Sequence, residues 1–158
     1  MKKKMFYRIL LVVIVLAAAG GIYAYYLWNM PHRDVAAAEI DYHIEATELV
    51  NEYLADERTA NMKYLDESGD SKILAVTGTV HWVSKNMNDD VVVILKEAGE
   101  KAGVQFTFSQ DAGNDVAGLQ KGDIATIKGV IRSGAKYDEI MDLYLDAIVD
   151  KGLLISQN

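Results

Sequence analysis

The stretch Ile73–Ser84, ILAVTGTVHWVS, constrains this chain more than any other. Val76, Thr77, Thr79, Val80, Trp82 and Val83 are residue types that fit a pleated, half-buried surface. The run is too β-branched, and too short between breakers, to prefer a helix. Gly78 at its midpoint would weaken an ordinary strand. It suits a strand that bends sharply or carries a bulge, as at the corners of small barrels. A competing reading makes Gly78 a plain turn between two short strands. The first reading predicts one long strand that turns a corner, with a closed sheet built around it.

Four more strands are expected downstream. After the turn cluster Lys85–Asp90, Val91–Leu95 (VVVIL) is a short, continuous apolar strand. Val104–Ser109 alternates, with Val104, Phe106 and Phe108 on one face and Gln105 and Thr107 on the other. Gln110–Asn114 reads as a loop, Asp115–Leu119 as one helical turn and Lys121-Gly122-Asp123 as a tight turn. Ile124–Arg132, centred on Gly129, is the fourth strand and Ile140–Val149 the fifth. Five strands with a helical turn between the third and fourth are the pattern of an OB-fold, the five-stranded Greek-key barrel. The alternative is a flat antiparallel sheet packed on a helix.

The N-terminal part carries a different signal. From Ile9 to Trp28 there is no charged residue. As a helix this run would be about 30 Å long, enough to cross a hydrocarbon layer. Lys2, Lys3, Lys4 and Arg8 precede it, and Tyr23, Tyr25, Tyr26 and Trp28 crowd its far end. Basic residues stay inside and aromatic rings sit at the interface. The expectation is a single transmembrane anchor in a bacterial cytoplasmic (inner) membrane. Its N-terminus is inside and the C-terminal domain is extracytoplasmic, or periplasmic. The rival is a signal peptide cut after Ala19, at Ala17-Ala18-Ala19. The apolar run continues to Trp28, longer than a signal segment of about 7–15 residues.

Asn29–Asp34 reads as a linker in which Pro31 ends the span, His32 is solvated and Asp34 caps a new helix. Asp34 to about Leu65 lacks glycine and proline. Ile40, Ile44, Val50, Tyr53, Leu54, Ala60 and Tyr64 recur there at roughly three-to-four spacing. This predicts one or two helices making a long amphipathic segment, with His43 on its exposed face. It would space the domain from the membrane and pack its second half on the sheet. The expected organisation is 1–28 basic tip and anchor, 29–65 linker and helical segment, and 66–158 OB-fold domain. The fold class is mainly β with N-terminal helices.

Composition narrows the chemistry. There is no cysteine, which excludes disulfides, thiolate metal sites and a cysteine nucleophile. From Asn29 onward twelve basic residues face 23 acidic ones, a balance of −11. Nucleic-acid affinity rests mostly on phosphate neutralisation, so this balance disfavours such a partner. His32, His43 and His81 lack metal-ligand spacing, and Asp111–Asp115 lacks the order of a calcium loop. Asp138, Glu139, Asp142 and Asp146 are the densest acidic group, and Asp142, Tyr144 and Asp146 would share the solvent face of the predicted fifth strand. No G-x-S-x-G and no glycine-rich phosphate loop occur. The chain is not expected to be an enzyme, to carry a cofactor or to hold a metal.

Five segments bear a family pattern: Ala60-N-M-K-Tyr64, Ile73-L-A-V-T-G-T-Val80, Val104-Q-F-T-Phe108, Leu119-Q-K-G-Asp123 through Thr126-I-K-Gly129, and Leu143 to Val149. In order and spacing they resemble the tRNA_anti-like family of bacterial OB-fold proteins, over about Ala46 to Leu154. Members typically have an anchor or signal, a helix ending A-x-x-x-Y, a V-T-G-x-V strand and a later K-G-D-x-x-T-x-K-G segment. Where such sequences often place a cysteine, this chain has Phe106 and Ala147. The family name records a resemblance to the anticodon-binding domain of tRNA synthetases; what it implies here is the fold.

OB-folds bind ligands on their second and third strands and the neighbouring loops. His81, Trp82, Lys85, Gln105, Thr107, Lys128, Arg132 and Tyr144 are the candidate ligand-binding residues, with Phe106 and Phe108 assigned to the core. A nucleic-acid reader needs stacking platforms along a basic groove, and this set is better suited to a peptide, glycan or protein. The expected function is a membrane-anchored, extracytoplasmic binding or assembly module with a protein, peptide or glycan ligand. Its partners would be the membrane and another envelope protein, with homo-oligomerisation left open. The alternative is a single-stranded nucleic-acid (oligonucleotide) binder.

Overall fold

A computed structural model describes residues 2–28, 34–66 and 71–157. The predicted linker residues Asn29–Arg33, with Pro31 and His32, and residues 67–70 of the predicted turn lie outside the described residues. The chain divides into two compact units, Met1–Asp34 and Val35–Asn158.

The first unit is helix α1, Lys2–Trp28. Its side chains described at residues 11–26 are all exposed. Among the described residues no helix is long and apolar enough to cross a membrane. The transmembrane helix expected over 9–28 is therefore not found.

The second unit runs β1 (Tyr42–Glu45), α2 (Ala46–Ala55), α3 (Glu57–Tyr64), β2 (Ile73–Lys85), β3 (Val91–Leu95), β4 (Val104–Phe108), α4 (Gln110–Gly113), β5 (Ile124–Ser133), β6 (Lys136–Asp138), β7 (Leu143–Leu145) and β8 (Ala147–Gln157). Strands β2, β3, β4, β8 and β5 are hydrogen-bonded in that order, and β5 pairs back to β2. The barrel is thus closed. Only β4 and β8 run parallel within it. This is the five-stranded OB topology. Closure leaves no barrel edge to template another chain. Inside, Val76, Leu95, Phe106, Phe108, Ile127 and Val149 are fully buried.

The first four strands lie where alternation and apolar runs place them. Gly78 has a different reason from the bend expected of it. Pairing with β5 is continuous from Ile73 to Thr79, and the irregularity falls at His81, between Val80 and Trp82. What Gly78 supplies is space: a Cβ there would lie 2.9 Å from the Cβ of Ala46 and 3.2 Å from that of Leu95. Gly129 does sit at a register shift, where a Cβ would meet Val149 and the Asp150 carbonyl.

Three expectations are corrected. The segment from Asp34 is not helical throughout. Residues 35–41 form a non-helical strap, β1 pairs parallel with β2, and only α2 and α3 are helical. Tertiary contacts override the local helix propensity here. Val35 packs with Ile73 and Val130, and Asp41 exchanges bonds with the Ile73 backbone at 2.8 Å each. His43 is exposed, but on a strand. Asp56 ends α2 and caps α3, its carboxylate accepting from the Thr59 amide (3.1 Å) and hydroxyl (2.7 Å). Glu52 ties the two helices by accepting from Lys63 and from the Tyr64 hydroxyl at 2.9 Å. Burial pushes the Glu52 carboxyl up, but these donors outweigh it and hold it below its ordinary value.

The fifth barrel strand is Ala147–Gln157, not Ile140–Val149. Residues 136–145 form the small β6–β7 hairpin instead. Asp142, at its turn, has φ 52°, outside the extended region of a regular strand. The helix between the third and fourth barrel strands is Gln110–Gly113, so the predicted loop is helical and Asp115–Leu119 is a turn region.

Candidate functional site

The barrel wall has two unequal faces. Val93, Phe106 and Val149 lie in register across β3, β4 and β8 and point into the core. Their strand neighbours must point out. That gives one outward row, Trp82–Ile94–Gln105–Ile148, in register across β2, β3, β4 and β8. Ser84–Val92–Thr107 forms a second. Trp82 is 57% exposed and Ile148 38%, while Ile94, Gln105 and Thr107 are half-buried. On the opposite side the strap covers the wall. There Lys128, only 8% exposed, donates to the Ala36 carbonyl at 3.2 Å and the Ala38 carbonyl at 2.6 Å. A buried ammonium needs such acceptors.

The β2–β3 turn borders the open face and is latched by its own side chains. Asn86 Oδ1 accepts from the amides of Asn88 (2.8 Å) and Asp90 (3.0 Å). Gln110 Nε2 reaches the Asn88 carbonyl at 3.3 Å. Met87 at the tip is fully exposed.

Of the eight candidate residues, the fold brings Trp82, Gln105 and Thr107 together on this face. His81 is exposed at the bulge beside Trp82. Lys85, in register with Val91 and hence with buried Phe108, lines a separate recess with Asp89, Gln110 and Asn114 at the end of the barrel. Lys128 is a strap anchor rather than a ligand residue. Arg132 pairs with Asp150 at 3.2 Å and lines a recess with Asn61 and Met62. Tyr144 lies on the β6–β7 hairpin, where its hydroxyl accepts from Lys101 at 3.3 Å.

Ile94 and Ile148 are site residues that the sequence reading lacks, while Val92, in the second row, is buried. VVVIL was read as a uniformly apolar strand, yet in a small antiparallel barrel alternate residues of any strand face outward. The acidic group also differs from the face predicted for it. Asp138 Oδ1 accepts from the amides of Ile140 (2.9 Å) and Met141 (3.0 Å). Asp142 accepts from the Tyr137 hydroxyl, and Asp146 from the Gly103 amide at 2.7 Å. These carboxylates hold turns together. Among the described residues no group of three or more His, Asp or Glu side chains is placed to hold a metal ion.

No curated protein matches the sequence. The family model for tRNA_anti-like proteins matches residues 1–141. With a closed five-stranded OB barrel carrying an open face on its second and third strands, the chain belongs to the tRNA_anti-like family.

Proposed function

We propose that the protein is a membrane-anchored, extracytoplasmic binding module whose barrel face takes a protein or peptide segment. The observation that carries this is the row Trp82–Ile94–Gln105–Ile148. It is apolar and amide in character, contains no cation and is partly open to solvent. A large exposed aromatic ring beside apolar side chains is a usual anchor of a protein contact. Anchoring is supported by the sequence, in the uncharged run 9–28 with Lys2, Lys3, Lys4 and Arg8 before it. A helix apolar on all sides needs an apolar surrounding. Nothing in the outward row resembles a catalytic constellation, and we assign no enzymatic role.

Photocrosslinking from positions 82 and 105 in native membranes tests the reading, with exposed Met62 as the control position. A reproducible protein adduct from 82 and 105, absent from 62, supports it. No adduct from either face position overturns it. Resistance of the full-length chain to carbonate extraction tests the anchor. A second reading, a single-stranded oligonucleotide binder, is favoured by the exposed Trp82 ring on the face OB-folds use for such ligands. Oligonucleotide binding with a steep salt dependence would select it.

A further inference from the structure

We propose that the cleft between the β6–β7 hairpin and the α2–α3 helix pair is a second site, built for an acidic saccharide. It has a volume of about 340 Å³. Tyr53 and Glu57 from the helices, Lys101 from the β3–β4 connection, and Lys136, Tyr137 and Tyr144 from the hairpin line it. Ligand sites of one or two rings start near this size, about 300 Å³.

The floor is rigid. Tyr53 is 2% exposed, and its hydroxyl has no hydrogen-bond partner among the described residues. Buried hydroxyls are nearly always paired. The ring cannot swing away: it stacks on Tyr64 with centroids 6.0 Å apart and packs flat on Gly134, where any Cβ would overlap it. The fold thus fixes this ring in the cleft floor, with its hydroxyl closed off beneath the surface.

The wall supplies the sign of a ligand. The Tyr137 and Tyr144 rings are 4.9 Å apart and tilted at 50°. Their hydroxyls are held by Asp142 and Lys101 respectively, which fixes the rings. Tyr137 remains 45% exposed. The negative face of an aromatic ring attracts polarised C–H groups, and one side of a pyranose ring is a patch of such groups. The two rings contact each other, so they form a platform and not a slot for a flat base.

Charge decides the class of sugar. Lys101 and Lys136 give the cleft two ammonium groups on a domain that is acidic overall. Glu57 faces them as an acceptor. An ionised carboxylate can only accept, so the ligand must offer hydroxyl donors. A phosphodiester group has no donor of its own. A neutral sugar would leave the lysines without an anion. A pyranose bearing a carboxylate answers all three groups.

The test is titration of the full-length protein in detergent micelles with digalacturonate, with maltose and a dinucleotide as comparators. Digalacturonate should bind and show saturation transfer to its ring protons. Maltose should bind about tenfold more weakly and the dinucleotide should not compete. Lys136→Ala and Tyr137→Ala should each weaken digalacturonate about fivefold, the loss of one hydrogen bond or one stacking face, with the fold intact by circular dichroism. Absence of digalacturonate binding would overturn the proposal, as would binding that both variants leave unchanged or equal competition by the dinucleotide. Loss of binding in Trp82→Ala alone would assign the sugar to the barrel face and also overturn it.

Discussion

Tyr53→Phe removes one oxygen from the floor of the cleft, and the structure sets the sign of its effect on stability. The ring is retained, so the stack on Tyr64 and the contact with Gly134 persist. Only the unpaired hydroxyl is lost. Burying a hydroxyl without a partner costs about 1–3 kcal/mol. A small void in place of the oxygen returns part of that, leaving a net gain of about 1 kcal/mol. The Val35–Asn158 unit unfolds with an entropy of about 0.26 kcal/mol per kelvin at the usual value per residue, so its Tm should rise by about 4 °C. Burial, first of all, pushes the Tyr53 phenol far above its ordinary value, so it stays neutral and the gain is independent of pH near neutrality. Thermal and urea unfolding of the two proteins, without sugar, make the measurement. A loss of 1 kcal/mol or more would show that the hydroxyl is bonded in the folded protein, and the reasoning about the cleft floor would fail.

Other perturbations follow from the same contacts. Lys128→Ala should cost about 2–4 kcal/mol, because two charge-assisted bonds to the strap are lost together, and limited proteolysis should then cut within residues 35–41; an unchanged midpoint and digest would refute the anchor role. Gly78→Val should destabilise by about 1–3 kcal/mol through overpacking against Ala46 and Leu95, read by urea unfolding. Glu52 lies below its ordinary carboxyl value of 4.5 in the folded state. Its stabilisation is therefore complete above that value and is lost as pH falls below it through the folded value. Glu52→Gln should accordingly shrink the loss of stability on going from about pH 5 to about pH 3. Trp82→Ala should abolish photocrosslinking from position 105 while changing stability by less than about 0.5 kcal/mol, since the ring is mostly exposed.

Gln105 and Thr107 were legible as outward residues because alternation on β4 is a local property, whereas Trp82 is turned outward only by the irregularity at His81, since plain alternation puts it on the face of buried Val80. The burial of Lys128 was not legible. It alternates outward like Gln105 and Thr107, but the strap that covers it lies about ninety residues earlier in the chain. Ile94 was hidden by the opposite effect, since a run of five apolar residues carries no phase. The cleft was invisible in the sequence. Tyr53 reads as one more member of a helical stripe, and Tyr137 falls in a stretch read as a connection.

The sequence by itself determined the strands whose β-branched, alternating runs leave no local alternative: Ile73–Lys85, Val91–Leu95, Val104–Phe108 and Ile124–Ser133. It also determined the core phenylalanines and the family. Only the tertiary structure decided the rest. Residues 35–45 have helical composition, yet they lie as a strap and a parallel strand because Ile73, Val130 and Lys128 offer more burial and bonding than a free helix would. Residues 147–157 include Lys151 at φ 56° and a glycine, a poor strand in isolation. They become β8 because β4 and β5 present two open edges that must be paired. Propensity acts over a few residues and differs by about 1 kcal/mol or less per residue. Closing a barrel satisfies a whole row of backbone groups at once, and where the two conflict the row prevails.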